Sequence, residues 1–370
     1  MRLSSILLFA WIVALDLAGG AAARANEKAP PSPSTSTAAG GFTVEKLAEG
    51  VYAAIRSDPP GLMVDANSLF IVNDEDVVVV DAPEASAEMI AALRAITNKP
   101  VSFLVNTHWH DDHVIGNAAW RKAYPGVRFI AHASLREYLP QTGLNNRKQM
   151  IEGAPQFAGQ MQAQMDKGRN LRDEPISDEE RASYASDIRL VKHYMAVVPG
   201  TETVLPNIDV IEGLTLIRGK RRIEVLHLGN GHTRADLVVW LPGERIVATG
   251  DLVVWPIPLV GGDQSHVRDW PGTLDALLAL NPAIFVPGHG PVMRSPDYPK
   301  QERDLFAGIN AQVAVAVARG DTLEATRKAI DLAAFRQQFA GDSKVRQFAF
   351  GMYVTGPAVE SAYRDATAKP

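Results

Sequence analysis

Cysteine is absent from all 370 residues. Its absence excludes disulfides, thiol nucleophiles, thiolate zinc sites and iron–sulfur clusters together. An excess of positive charge is missing too. The 37 Lys and Arg stand against 42 Asp and Glu, a formal charge of −5, which gives no electrostatic footprint for nucleic acid. No short-period repeat is visible, although a duplicated ββα pattern is compatible with the order of elements. What remains is ordinary globular material. With 46% hydrophobic and 21% charged residues, a chain of this length can bury a core without covalent staples.

The N-terminus reads as a targeting signal. Arg2 is a short basic start, Ile6 to Leu15 is an unbroken apolar run, and Ala21 to Ala25 offers small-residue cleavage sites. The run is half of the roughly 20 residues a bilayer span needs, and Asp16 with Gly19 and Gly20 argues against an anchor helix. A lipoprotein is excluded for want of a cysteine. Residues 1–25 are therefore expected to be a signal peptide, and residues 26–41, rich in Pro, Ser, Thr and Ala, a flexible linker. No second run is long enough to span, so the expectation is a secreted or periplasmic chain with no membrane association after cleavage.

The body alternates between strands and helices. Val51 to Arg56, Ser68 to Val72, Val77 to Val80, Val101 to Val105 and Val127 to Ala131 read as strands, with helices over Ala85 to Thr97 and Asn117 to Tyr124. Residues 141–200 turn polar and helical, an insertion that forms a lid or a surface elaboration. Strand patterns resume at Val210 to Ile217, Arg222 to Leu228, Leu237 to Trp240, Arg245 to Thr249 and Ala283 to Val286, with a helix over Trp270 to Leu280. From about Tyr298 the chain is mostly helical. Alternation with antiparallel hairpins predicts layered α and β structure.

One constellation carries chemistry. After the strand Val101 to Val105 comes Thr107-His108-Trp109-His110-Asp111-Asp112-His113. Side chains of an extended backbone alternate with period two, so His108 and His110 point the same way. Asp112 and His113 then turn toward a second point. Imidazole and carboxylate are what zinc and other borderline metals accept when thiolate is lacking. Further donors sit on Gly231-His232-Thr233, Thr249-Gly250-Asp251 and Pro287-Gly288-His289-Gly290, each read as a glycine-bearing turn just past a strand.

This ordered set resembles the metallo-β-lactamase superfamily over roughly Phe42 to Pro291. The resemblance implies an αββα sandwich with metals at one edge of two packed sheets. Here that would be a fold domain over 42–297 carrying the 141–200 helical insertion, followed by a helical extension over 298–370. It also implies His108, His110 and His232 on a first metal, and Asp112, His113 and His289 on a second, with Asp251 bridging. Asp81 matches the family's first acidic motif and would orient a ligand from behind, a role Asp236 could share. The best-known β-lactamase subclass carries Cys where Asp251 stands and lacks His at the position of His113. The set here looks more like glyoxalase II enzymes and lactonases. Redox di-iron members place glutamate where His110 stands, which favours hydrolysis.

The implied chemistry is that of two zinc ions, with manganese or iron as alternatives. A hydroxide shared between them attacks a carbonyl, and Asp112 is the catalytic residue that orients it and shuttles its proton. A β-lactam amide, a lactone or a thioester would be the substrate, a small molecule in each case. Two alternatives stand beside this one. A phosphodiester or sulfate-ester hydrolase would need cationic anchors near the metals, where no basic cluster appears. A periplasmic metal-binding protein would keep the ligands without turnover. No substrate-binding residue is assigned, and oligomeric state is not legible. His132 reads as structural and His227 as packing or support. His193, Tyr194, Gln264, His266 and Arg268 are weaker candidates for contacts to substrate.

Overall fold

The computed structural model describes residues 36–38, 41–261 and 264–368. The expected signal peptide lies outside these residues, as does most of the expected linker. Within the latter, β1 (Ser36–Ala38) pairs antiparallel with β2 (Phe42–Ala48). None of the described helices is long and apolar enough to cross a membrane.

Two sheets stack face to face. The first has eight strands in chain order: β1, β2, β3 (Val51–Arg56), β4 (Ser68–Val72), β5 (Val77–Val80), β6 (Val101–Val105), β7 (Arg128–His132) and β8 (Ile208–Val210). The second has five, ordered β13 (Ile284–His289), β12 (Ile246–Val254), β11 (Val238–Leu241), β10 (Arg221–Leu226) and β9 (Gly213–Arg218). The run of four valines at 77–80 explains the layering. Val78 and Val80 point into the space between the sheets, with Phe103, Ile130, Val225, Val239 and Val286. Val77 and Val79 face the other way, onto α1 (Ser86–Ile96) and α3 (Asn117–Ala123), through Met89, Leu93 and Trp120. A strand buried on both faces has no reason to alternate with polar residues.

The outer face of the second sheet is covered by α7 (Trp270–Ala279), α8 (Asp297–Ala318) and α12 (Gly356–Thr367), with α9 (Leu323–Ala329), α10 (Ala333–Ala340) and α11 (Lys344–Phe350) between the last two in the chain. Trp270 stacks on Phe306, ring centroids 4.3 Å apart. The C-terminal helices thus supply most of the fourth layer of an αββα sandwich. The insertion is two helices, α5 (Leu144–Asp166) and α6 (Asp178–Val197), with a small core of Phe157, Met161, Tyr184, Ile188 and Val191. A capping box at Ser177 and Glu180 starts α6, each side chain bonding the other's backbone N–H.

Two expectations about strands are corrected. Residues 210–217 are not one strand. β8 ends at Val210 in the first sheet and β9 begins at Gly213 in the second, so the chain changes sheets across the exposed Ile211 and Glu212. Asp251 and His289 do not follow their strands but lie inside them, because β12 runs on to Val254 and β13 to His289. Pairing between β12 and β13 shifts register on either side of Gly250, and that irregularity re-aims the side chains there.

Candidate metal centre

Seven expected donors come together at one edge of the sandwich, in two groups. His108, His110, His232 and Asp251 form one; Asp112, His113 and His289 form the other. In each, the facing atoms lie within 4.8 Å of one another. The motif after β6 is arranged as its alternation requires. Trp109 packs into an apolar pocket of Val114, Ala131, Leu135, Leu139 and Ala235 and meets the His110 ring edge-on, centroids 4.2 Å apart, and so anchors the loop. The chain then winds into α2 (Asp111–Val114), which carries Asp112 and His113 round to the second group.

In the first group His110 Nδ1 lies 3.0 Å from His108 Nε2 and 2.8 Å from His232 Nε2. In the second, His289 Nε2 lies 3.2 Å from Asp112 Oδ2, and His113 Nε2 lies 3.5 Å from the same oxygen. Asp251 belongs to both. Its Oδ1 is 3.1 Å from His113 Nε2 and 3.4 Å from His289 Nε2, while Oδ2 is 3.5 Å from His232 Nε2. That approach needs Gly288, because a Cβ there would overlap Asp251 Oδ1.

The far side of each ring decides which nitrogen is offered. His232 Nδ1 donates to the Leu259 carbonyl at 2.8 Å and His289 Nδ1 to the Asp65 carbonyl at 3.2 Å. His113 Nδ1 faces Asp81 Oδ2 at 2.8 Å, and His108 Nδ1 the Thr107 hydroxyl at 3.2 Å. A carbonyl accepts only, so Nδ1 of His232 and His289 carries a proton and Nε2 is the nitrogen each ring turns toward the cluster. Asp81 is held in the left-handed region, at φ 60°, by bonds from the Thr107 N–H at 2.7 Å and its hydroxyl at 2.8 Å. The Asp236 carboxylate instead accepts from the Thr233 N–H and hydroxyl, and clamps the turn that bears His232.

Burial and neighbours push the two groups in opposite directions. In the first group burial and the adjacent His232 ring push His110 down to about 3, and burial with the other imidazoles holds His108 well below the usual histidine range. In the second, burial also opposes charge, yet the Asp251 and Asp112 carboxylates raise His289 to about 10. Asp251, Asp81 and Asp112 likewise hold His113 well above its ordinary value.

The donor set fits divalent cations. His113 Nε2, His289 Nε2 and Asp251 Oδ1 are buried with no hydrogen-bond partner. Each buried unpaired polar atom costs about 1–3 kcal/mol, so three converging on one point call for a charge between them. Asp112 is the open member: its side chain is 18% exposed, against 0% for His113 and 3% for Asp251.

The weaker candidates divide. The His132 and His227 rings meet at a tilt, centroids 4.5 Å apart, outside the two donor groups, and His227 Nδ1 donates to the Asp236 carbonyl. His266 accepts from Arg234, and Arg268 donates to the carbonyl of Asp365 in α12. His193 lies 3.3 Å from the buried carboxylate of Glu84, which burial raises to about 8. Sequence reasoning missed Glu84 and the backbone of Asp65, neither of which has a motif signal. It also missed Gly261, where a Cβ would lie 3.2 Å from His110 Cε1 and 3.5 Å from His232 Cε1.

Comparison with known proteins bears on this geometry. Residues 63–289 match the model of the metallo-beta-lactamase superfamily, and the chain belongs to that family. Among curated relatives it is 26% identical over 252 residues to a linear primary-alkylsulfatase from Pseudomonas sp., covering 64% of this chain and 44% of that one. It is 24% identical over 259 residues to a type 2 metallo-beta-lactamase from Bacteroides fragilis, covering 67% and 79%. The chain thus spans less than half the length of the alkylsulfatase. Among solved structures, a metallo-beta-lactamase from Pontibacter korlensis superposes with a TM-score of 0.50 at 19% identity, over 72% of this chain and 99% of that one. A stereoselective inverting sec-alkylsulfatase from Pseudomonas sp. reaches 0.60 at 17% identity, over 87% and 50%. At these identities the likeness is one of fold, the αββα sandwich described above.

Proposed function

We propose that the chain is an exported, binuclear zinc-dependent hydrolase acting on a carbonyl bond of a small molecule. The observation that carries this reading is Asp251, whose two oxygens face different groups of imidazoles. His108, His110 and His232 would hold one cation and Asp112, His113 and His289 the other, with Asp251 shared. Two divalent ions, zinc first and manganese or iron as alternatives, would supply a water of lowered pKa and a Lewis acid for the substrate oxygen. Asp112 is open to solvent, and its Oδ2 faces His289 and His113. Its other oxygen, Oδ1, would orient the attacking water and take its proton. The buried rings of His108 and His232 would be held in one tautomer throughout. Residues 1–25 would direct export and be removed.

Hydrolysis of a sulfate ester is the second reading. It is favoured by the likeness to alkylsulfatases, one of which covers 87% of this chain. Metal analysis together with one panel tests both. The purified protein would be assayed against nitrocefin, a lactone, a thioester, a phosphodiester and an alkyl sulfate, with and without a chelator. Chelator-sensitive turnover of a carbonyl substrate, abolished in Asp112→Asn, is expected. Turnover confined to the sulfate would select the second reading, and a metal-replete protein with no turnover would reject both.

A further inference from the structure

Four histidines of the centre are oriented by a bond on their far nitrogen, as described for His108, His113, His232 and His289. Asp251 is held within β12, in a sheet interior. His110 and Asp112 have neither support: among the described residues their side chains make no hydrogen bond outside the donor groups. Both flank Asp111, and Asp111 is where the helical insertion grips the loop. Arg147 of α5 donates Nε to both Asp111 oxygens at 3.0 Å and Nη2 to Oδ1 at 2.6 Å, while its Nη1 reaches the Thr203 hydroxyl at 2.9 Å. Tyr194 of α6 donates its hydroxyl to Asp111 Oδ2 at 3.0 Å. The same helices press Tyr194, Met150 and Val198 onto Ile115, just beyond α2.

An exposed ion pair between flexible side chains does little to fix a backbone. This one is different in kind, because Arg147 and Tyr194 are only 7% and 4% exposed and the guanidinium fork is engaged on three sides. We propose that Arg147 and Tyr194 are positioning residues for the metal centre. Through Asp111 they fix the turn that aims His110 into the first group and Asp112 into the second. The insertion is then a working part of the site, and its integrity sets how tightly cations are held. The proposal rests on the two-cation reading above.

The test is a competition titration of the chelator-stripped full chain with Co2+ against a chromophoric chelator, alongside the visible Co2+ spectrum. Supporting groups behind metal ligands typically change affinity by about 10–100-fold. Arg147→Met is expected to weaken the more loosely held ion by about that factor and to alter the spectrum. Arg147→Lys keeps the charge and loses the fork, and should fall between it and the parent; Tyr194→Phe should lose roughly 2–5-fold. Should Arg147→Met strand the Asp111 carboxylate and fail to fold, the double variant R147M/D111N removes both charges and carries the same expectation. A folded variant of either kind with parental affinity and spectrum would overturn the proposal. A parent chain that binds no cation would overturn the function reading beneath it, and one that binds two while the variants match it would overturn the clamp alone.

Discussion

Two sets of imidazoles share one pocket and are pushed in opposite directions from the ordinary histidine value. His108 and His110 lie among other rings, and burial together with those rings lowers both. His113 and His289 are as deeply enclosed, but they face Asp81, Asp112 and Asp251, and those carboxylates raise both. Residue type is the same throughout. What differs is where the carboxylates fall, and that follows from the backbone: period-two alternation sends His108 and His110 together, and the first turn of α2 sends Asp112 and His113 elsewhere. Asp251 alone spans the division.

The contrast can be broken most severely at Asp251. Asp251→Asn removes the charge common to both groups and is expected to lower kcat by three orders of magnitude or more on whichever substrate the panel selects, with fewer ions retained on dialysis; near-parental turnover in a folded variant would show that the groups work independently. Asp81→Asn sharpens the contrast, because Asp81 bonds the His113 ring directly and meets the first group only through the Thr107 hydroxyl, which faces His108 Nδ1. Affinity for one cation should fall about 10–100-fold by chelator competition and affinity for the other by clearly less. Gly261→Ala presses on His110 and His232, both of the first group, and on the Ser265 hydroxyl. A few-fold loss of affinity confined to the other cation is expected, and an equal effect on both would count against separate groups.

The smallest effect belongs to a residue outside both groups. Asp187 in α6 accepts from the backbone N–H groups of Leu62 and Met63, and burial raises it to about 6. A carboxyl raised in the folded state contributes stability that is present below its unfolded value near 4 and lost as pH climbs through 6. Asp187→Asn keeps an acceptor and cannot ionise. Relative to the variant, the parent should lose roughly 2–3 kcal/mol between pH 4 and pH 6 in urea unfolding, with metal affinity equal in the two. A difference that stays flat with pH would contradict the assignment.

Much of this was legible in advance because the informative residues are dense and local. The donors lie in short stretches after apolar runs, and four of them fall within His108 to His113. The four valines at 77–80 and the largely apolar stretch at 101–105 announce strands buried on two faces. Phe42–Ala48 escaped notice as a strand because it is mostly half-buried and carries Glu45 and Lys46 among its apolar residues. The break between β8 and β9 was hidden by apolar residues that continue across a change of sheet. Arg147 and Tyr194 lie 36 and 83 residues from Asp111, and a polar contact over such a distance leaves no mark in periodicity or composition.

The central claim is that the two groups hold two cations joined through Asp251. Calorimetric titration of chelator-stripped protein with Zn2+, checked by elemental analysis of the dialysed product, tests it most directly. Two equivalents per chain for the parent and fewer in Asp251→Ala are the predicted result; one equivalent or none in the parent would contradict it.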